Sequence, residues 1–507
     1  LETFKKIIPL SEGEEQKIRK DLKNKRRFIP IKLKDNLSWA EVSKILLHAP
    51  DLPGVEIDEG LSRYYPYADI YAHVLGYVGP VSDKDKKDNP LYMVPGFKIG
   101  KSGLERYFDY KLQGKGGTIK LEVNAYGRVM NEIERNSGEE GESLTLTLDA
   151  RLQRAAYEAF GEESGAAVVL NVRTGEILAL VSTPSFDPNL FTNGISYKHW
   201  NELLNNERTP LVNKAVSGQY SPGSTFKVVV ALAALEAGVI DLNTRFNCSG
   251  GIDVGNIRFH CWRHSGHGSL NVVEALKHSC DIFFYETAMK LGIDRIHDMA
   301  VKLGMGNVLE VGLDNEKAGI IPTKAWKKAR FGTSWTHGDA ANSGIGQGYV
   351  LVTPLQLATM LARVVNGGYA VQPTFIRPTE KELAKVKRLD ISTKNIEIVK
   401  RGMFEVVNGA GGTAGRARFN YNGALMGGKT GTTQVRRISM KERSSGILRD
   451  EQLPWRLRNH ALFIGFTPVD NPRFAVAVIV EHGSSGSGVA APIASRILQK
   501  ALQLDIK

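Results

Sequence analysis

Apolar and polar residues alternate through Leu144, Thr145, Leu146, Thr147 and Leu148, the period of a half-buried strand. Asp149 follows where a helix N-cap belongs. Two apolar runs, 166–170 and 176–182, flank Arg173-Thr174-Gly175 and predict a hairpin of buried strands. From Ser224 to Ala237 the chain is apolar on most faces, which predicts a helix inside a core, stopped at Gly238. Helical periods dominate from Leu270 to about Val407. Strand patterns return at 425–433, 460–467 and 474–481, and 490–502 reads as a closing helix. Strands early and late around a helical middle predict an α+β domain with a mostly antiparallel sheet.

Residues 1–140 read differently. They are charged, glycine-rich and irregular, with strand-like runs at 72–78 and 119–123 and no visible chemistry. A chain of 507 residues exceeds one ordinary domain. The charged link at 139–142 is the expected boundary, giving a non-catalytic domain over 1–140 and a catalytic one over 141–507. The stretch 96–102 is no phosphate cradle, because three residues rather than four separate Gly96 from Gly100.

Composition refines this picture modestly. Hydrophobic residues make up 42% and charged residues 24%, the balance of soluble globular protein. No run of 18 apolar residues is present to span a bilayer. The chain starts at Leu1 without an initiator Met or a signal peptide, so a processed form with an anchor upstream is expected. The net charge of +12 is partly local: residues 17–27 hold seven Lys or Arg. Without interleaved aromatics or a nucleic-acid module, that run reads as a solvated helix face, and no nucleic-acid partner is expected.

The candidate chemistry begins at Ser221-Pro222-Gly223-Ser224-Thr225-Phe226-Lys227. Residues three apart share a helix face, so Ser224 Oγ and Lys227 Nζ can meet, and a serine needs a base to become a nucleophile. Lys227 must be neutral to accept a proton; burial and a second cation, with Lys429 the obvious one, both favour that. Pro222 and Gly223 suit a helix start, whose dipole favours negative charge on Ser224. By itself a Ser-x-x-Lys pair is a common coincidence. Ser279 and Asp281 stand between two helical stretches, where a hydroxyl can pass a proton to a leaving group; a plain helix cap is the competing reading. Lys429-Thr430-Gly431-Thr432 lies in a strand with Gly427 and Gly428. It suits a substrate carboxylate and an added peptide strand, or is simply a polar edge strand.

All three cysteines, Cys248, Cys261 and Cys280, fall in one short stretch, with His267 between the last two. Three thiols and an imidazole make a complete tetrahedral zinc set, and four protein ligands leave no open position, so a structural zinc is predicted. The alternatives are a disulfide that strands the third cysteine and three small buried residues. His260, His264 and His278 compete with His267, whose glycine neighbours leave room for a metal. No organic cofactor is expected.

Ser-x-x-Lys, Ser-x-Asp and Lys-Thr-Gly, in this order, resemble the penicillin-binding protein transpeptidases. The likeness extends to 165–187, to 343–348 with 353–356, and to 460–468; upstream, 63–79, 100–105 and 122–128 resemble the elongated pedestal of class B members. It covers most of residues 60–500. Asp281, where division-type members carry Asn, resembles the elongation type, penicillin-binding protein 2. The pedestal's usual opening strand, rich in Arg, Gly and Asp, is absent.

This resemblance implies a penicillin-recognising transpeptidase fold with an N-terminal pedestal. It implies that Ser224 attacks the penultimate D-Ala carbonyl of a stem peptide, with Lys227 as base and Ser279 and Lys429 relaying protons. The N–H groups of Ser224 and Thr432 then form the oxyanion hole. A neighbouring stem-peptide amine resolves the acyl-enzyme, and β-lactams acylate Ser224. A glycan-polymerising partner on the pedestal and the periplasmic face of the inner membrane are further implications. The competing functions are a β-lactamase or carboxypeptidase on the same fold, or a non-catalytic scaffold or β-lactam sensor.

Overall fold

The computed structural model describes residues 1–10, 12–24, 31–35, 37–58, 62–82, 85, 90–94, 96–125, 129–192, 194–436 and 448–506. Positions 25–27 of the basic run and 126–128 of the pedestal-like stretch lie outside the described residues. The chain forms two compact units, Leu1–Leu144 with Phe186–Glu202, and Thr145–Ser185 with Leu203–Lys507. Beside the boundary expected at 140/141, a further segment, Phe186–Glu202, groups with the first unit. Aromatic packing explains the assignment. Phe191 stacks on Tyr77 at 4.3 Å between ring centroids, Phe186 meets His73 edge-on at 5.3 Å, and Asn189 hydrogen-bonds the Tyr65 backbone in both directions.

In the first unit a small core of Phe4, Ile8, Ile45 and Leu52 is supplied by the helices Glu2–Ile7 and Trp39–Leu47 and the chain after them. The described part of the basic run lies in helix Glu12–Asn24, where Arg19 pairs with Glu15 and Glu2. The strand expected at 72–78 is corrected. Ala72–Leu75 is a helical turn that ends at Gly76, where the Ser102 carbonyl approaches too closely for any side chain. The strand Val78–Pro80 starts beyond it and pairs with Lys98–Gly100, which forms the centre of the stretch at 96–102. Among the described residues no helix is long and apolar enough to cross a membrane.

The second unit is built on β1 (Gly165–Asn171), β2 (Ile177–Thr183), β3 (Gly427–Thr433), β4 (His460–Thr467) and β5 (Phe474–Val480). They form an antiparallel sheet of order β3-β4-β5-β1-β2. β1, β2, β4 and β5 read as continuous apolar runs because helices cover both faces of the sheet. Pro354–Val365 packs on β5 and β1, while Ala150–Glu158 and Ala491–Gln503 close the other core. Asp149 caps Ala150–Glu158 through the N–H groups of Arg151 and Leu152. The alternating run at 144–148 does not form a strand. Thr147 N–H donates to Phe375 O and Asp149 N–H to Leu178 O, so its bonds go to two different segments and no ladder develops. β3 is left as an edge strand, and the buried helix Lys227–Glu236 brings the Ser224 turn against it.

Candidate active site

Ser224 lies in one turn of 3₁₀ helix, Gly223–Phe226, and the α-helix starts only at Lys227. The turn is fixed from three sides. Thr433 Oγ1 on β3 donates to Ser221 O at 2.7 Å, Thr225 Oγ1 donates to Pro222 O at 2.7 Å, and Gly223 N–H donates to Gly346 O at 2.9 Å. A Cβ on Gly346 would sit 2.3 Å from Gly223 O, so this approach of two backbones requires glycine. Gly223 in turn lies against the Thr432 carbonyl, which puts the Ser224 and Thr432 backbones side by side. The Ser224 N–H and hydroxyl have no hydrogen-bond partner among the described residues, so both remain open to a substrate.

The expected Ser224–Lys227 hydrogen bond is not formed. Lys227 Nζ, fully buried, donates instead to Asp281 Oδ1 at 2.6 Å, to Ser279 O at 2.9 Å and to Ser279 Oγ at 3.3 Å. The carboxylate is preferred because a bond to a charged acceptor is stronger than one to a neutral hydroxyl. Lys429 Nζ, also fully buried, donates to the same Ser279 Oγ at 2.8 Å and to Thr430 O at 3.1 Å. Ser279 Oγ thus joins two lysine amines. Burial first, and the neighbouring Lys227 charge second, hold Lys429 well below the usual lysine range, with Asp281 opposing. Ser279 has φ +52°, a left-handed conformation that a non-glycine residue rarely adopts and that turns the chain between helices Val272–Lys277 and Asp281–Leu291. Asp281 is no helix cap: its second oxygen accepts from the Trp262 N–H at 2.9 Å.

The glycines of β3 pack against neighbouring chain. Side chains at Gly427 and Gly428 would collide with the rings of Phe466 and Phe463 on β4, and one at Gly431 would crowd Pro222 and Thr225 of the nucleophile turn. Of the two close approaches such glycines permit, a backbone or a ligand, the backbone one is present: Gly428 lies by the Ile464 carbonyl and Gly431 by the Pro222 carbonyl. Lys429, Gly431 and Thr433 face the nucleophile turn and Ser279, so Thr430 and Thr432 share the other direction along the strand.

Cys248, Cys261, His267 and Cys280 converge, their ligand atoms all within 4.8 Å of one another, and the cysteines are unpaired and buried. His267 Nδ1 is 3.6 Å from Cys248 Sγ and 3.5 Å from Cys261 Sγ. Tetrahedral zinc with ordinary Zn–S and Zn–N bonds sets a sulfur–nitrogen separation of about 3.6 Å, so the donor set fits the ion. Cys261 is pulled down to about 5, chiefly by a hydrogen bond from Cys280, whose own thiol is pushed up by the same contact. His260, His264 and His278 stand outside the cluster. The loop carrying Cys261 reaches the second motif through Trp262, whose N–H holds Asp281 and whose indole donates to His278 O at 3.1 Å.

Sequence reasoning missed the anchor on the other side of the nucleophile turn. The Tyr220 backbone pairs both ways with Val352, and its hydroxyl donates to Glu481 Oε1 at 2.9 Å. Ser164 Oγ donates to the other Glu481 oxygen at 2.7 Å. Next to this pair His460 is pushed down to about 4, first by burial and then by His482. The only signal in the sequence was a tyrosine directly before Ser221.

The family model of the penicillin binding protein transpeptidase domain matches residues 165–499, and that of the penicillin-binding protein dimerisation domain matches residues 1–146. The chain belongs to the penicillin-binding protein transpeptidases. Within that family it is 37% identical over 504 residues to the peptidoglycan D,D-transpeptidase MrdA of Escherichia coli K12, a span covering 96% of this chain and 79% of that protein. Penicillin-binding protein 2 of Helicobacter pylori, solved in complex with MreC, superposes with a TM-score of 0.86 at 30% identity, covering 99% of this chain and 90% of that one. The Pseudomonas aeruginosa protein of the same name, solved with WCK 5153, gives 0.73 at 34% identity over 88% and 93%.

Proposed function

We propose that this chain is an elongation-type peptidoglycan D,D-transpeptidase that cross-links stem peptides through an acyl-enzyme on Ser224. The observation that carries the reading is Ser279 Oγ, bonded to both Lys429 Nζ and Lys227 Nζ, with the Ser224 hydroxyl itself unengaged among the described residues. Ser224 Oγ attacks the penultimate D-Ala carbonyl, and the N–H groups of Ser224 and Thr432 stabilise the oxyanion. For the transfer Lys227 acts as the neutral amine: it takes the serine proton and, through Ser279, delivers it to the departing D-Ala nitrogen, with the Lys429 amine supporting the relay from beneath β3. An amine from a second stem peptide then attacks the acyl carbon; as the ester bond to Ser224 breaks, the amine proton returns along the same path to Ser224 Oγ, and the cross-linked peptide leaves. β-Lactams acylate Ser224 by the same first step. A fluorescent penicillin tests this: one equivalent is expected on Ser224, stable over the assay, and none on Ser224→Ala. Rapid turnover of the label would favour a β-lactamase, and no labelling a scaffold.

The four converging ligands are assigned to a structural zinc, which supplies no chemistry to the acyl transfer. Bound there, it would fix Cys280 and the Cys261–Trp262 loop, and with them Ser279 and Asp281 between. Metal analysis of the purified protein is expected to give one zinc per chain; no zinc together with a disulfide would remove the assignment. The reading further places the enzyme at the periplasmic face of the inner membrane, with the Leu1–Leu144 unit receiving a glycan-polymerising partner.

A further inference from the structure

Past the helix Thr393–Asn408 the chain doubles back on itself. Gly412 N–H donates to Gly409 O at 3.0 Å and Ala414 N–H to Val406 O at 2.9 Å. A Cβ on Gly412 would lie 2.4 Å from Glu405 O and 2.5 Å from Val406 O, so only glycine allows the chain to fold this tightly onto its own helix end. The result of that fold is specific. It sets Thr413 Oγ1 3.0 Å from Thr430 Oγ1, the hydroxyl next to Lys429 on the edge strand. Nothing in the acyl-transfer relay uses Thr413.

We propose that Thr413 is a positioning residue for the substrate carboxylate: it fixes the direction in which Thr430 offers its hydroxyl proton to the C-terminal carboxylate of the donor peptide, or to the matching carboxylate of a β-lactam. The inference rests on the transpeptidase reading. A threonine hydroxyl has one proton and rotates freely, so an unaccompanied Thr430 can turn that proton to any nearby carbonyl. Two hydroxyls at 3.0 Å share one proton between them and leave the other to point outward. A carboxylate only accepts, so its arrival selects the arrangement in which Thr413 donates to Thr430 and Thr430 donates to the ligand. Donation into the Thr430 oxygen also polarises its O–H. Thr432, on the same side of the strand, accepts from Gly486 N–H at 3.4 Å and keeps its own proton, which gives the carboxylate a second donor.

The test compares a penicillin with its methyl ester, which lacks the carboxylate charge, by the second-order rate of Ser224 acylation. Thr413→Val is expected to slow the free acid about tenfold, the scale of one hydrogen bond to a charged group, while the ester rate moves less than about twofold. Thr413→Ser is expected to restore the acid rate. Thr413→Ala serves as the second variant, with circular dichroism to confirm folding. Equal slowing of acid and ester would mean a general structural role, and no slowing of either would mean no role; both overturn the proposal while leaving the transpeptidase reading intact. A wild-type protein that takes no label at all would instead defeat the transpeptidase reading and this inference with it.

Discussion

Lys429 Nζ is an amine buried beside a second lysine amine, and burying its charged form there opposes stability while it serves chemistry. Its folded pKa lies well below its unfolded one. Between those two values the unfolded chain binds a proton that the folded chain does not, so stability from this group rises with pH through that window and is lowest below it. Lys429→Met is therefore expected to raise the melting temperature, by about 2–4 °C for each kcal/mol relieved, while cutting Ser224 acylation at least about a hundredfold. Calorimetry and penicillin labelling of the same preparation read both effects; a variant that loses stability along with activity would defeat the argument. At this scale the sequence was informative where residues are neighbours. Ser224 and Lys227 are read from spacing, but the contact that captures Lys227 comes from Asp281, far along the chain and invisible to any local window. The left-handed Ser279 was equally hidden, since nothing in a serine's identity announces a positive φ.

Among the elements, the apolar runs that became β1, β2, β4 and β5 were legible because burial on both faces leaves an unbroken hydrophobic signature. The run at 144–148 shows the limit of periodicity: it alternates as a strand should, yet no partner strand accepts its bonds. The helix at Ser224 was placed correctly in position but not in its first turn, where packing against β3 and Gly346 tightens the backbone. Tyr220 belongs to the same tertiary class. Tyr220→Phe deletes the hydroxyl bond to Glu481 and is expected to cost about 1.5–3 kcal/mol, the range for a hydrogen bond to a charged group. Because Tyr220 leads directly into the nucleophile turn, the acylation rate should fall as well. Urea unfolding with unchanged midpoint would show that Ser164 alone suffices for Glu481.

For the molecule as a whole, the two compact units and the four-ligand cluster make a joint expectation. All four ligands lie in the Thr145–Ser185 and Leu203–Lys507 unit. A strong chelator should lower the thermal transition of that unit and leave the Leu1–Leu144 unit's transition in place, as calorimetry would resolve; a shift in both, or in neither, would count against a structural zinc there. The cysteine cluster was legible because three residues of a rare type crowded one stretch. The inclusion of Phe186–Glu202 in the first unit was not, since a boundary crossed by aromatic packing leaves no compositional mark.

The contact between Gly223 and Gly346 carries a consequence for drug evasion. A bacterium under antibiotic selection can narrow a target site by enlarging the side chains around it, but next to Ser224 the two backbones already touch and neither position admits a single carbon. Escape by that route is closed at the nucleophile itself, and heritable change has to be sought farther out, among residues that have room to grow.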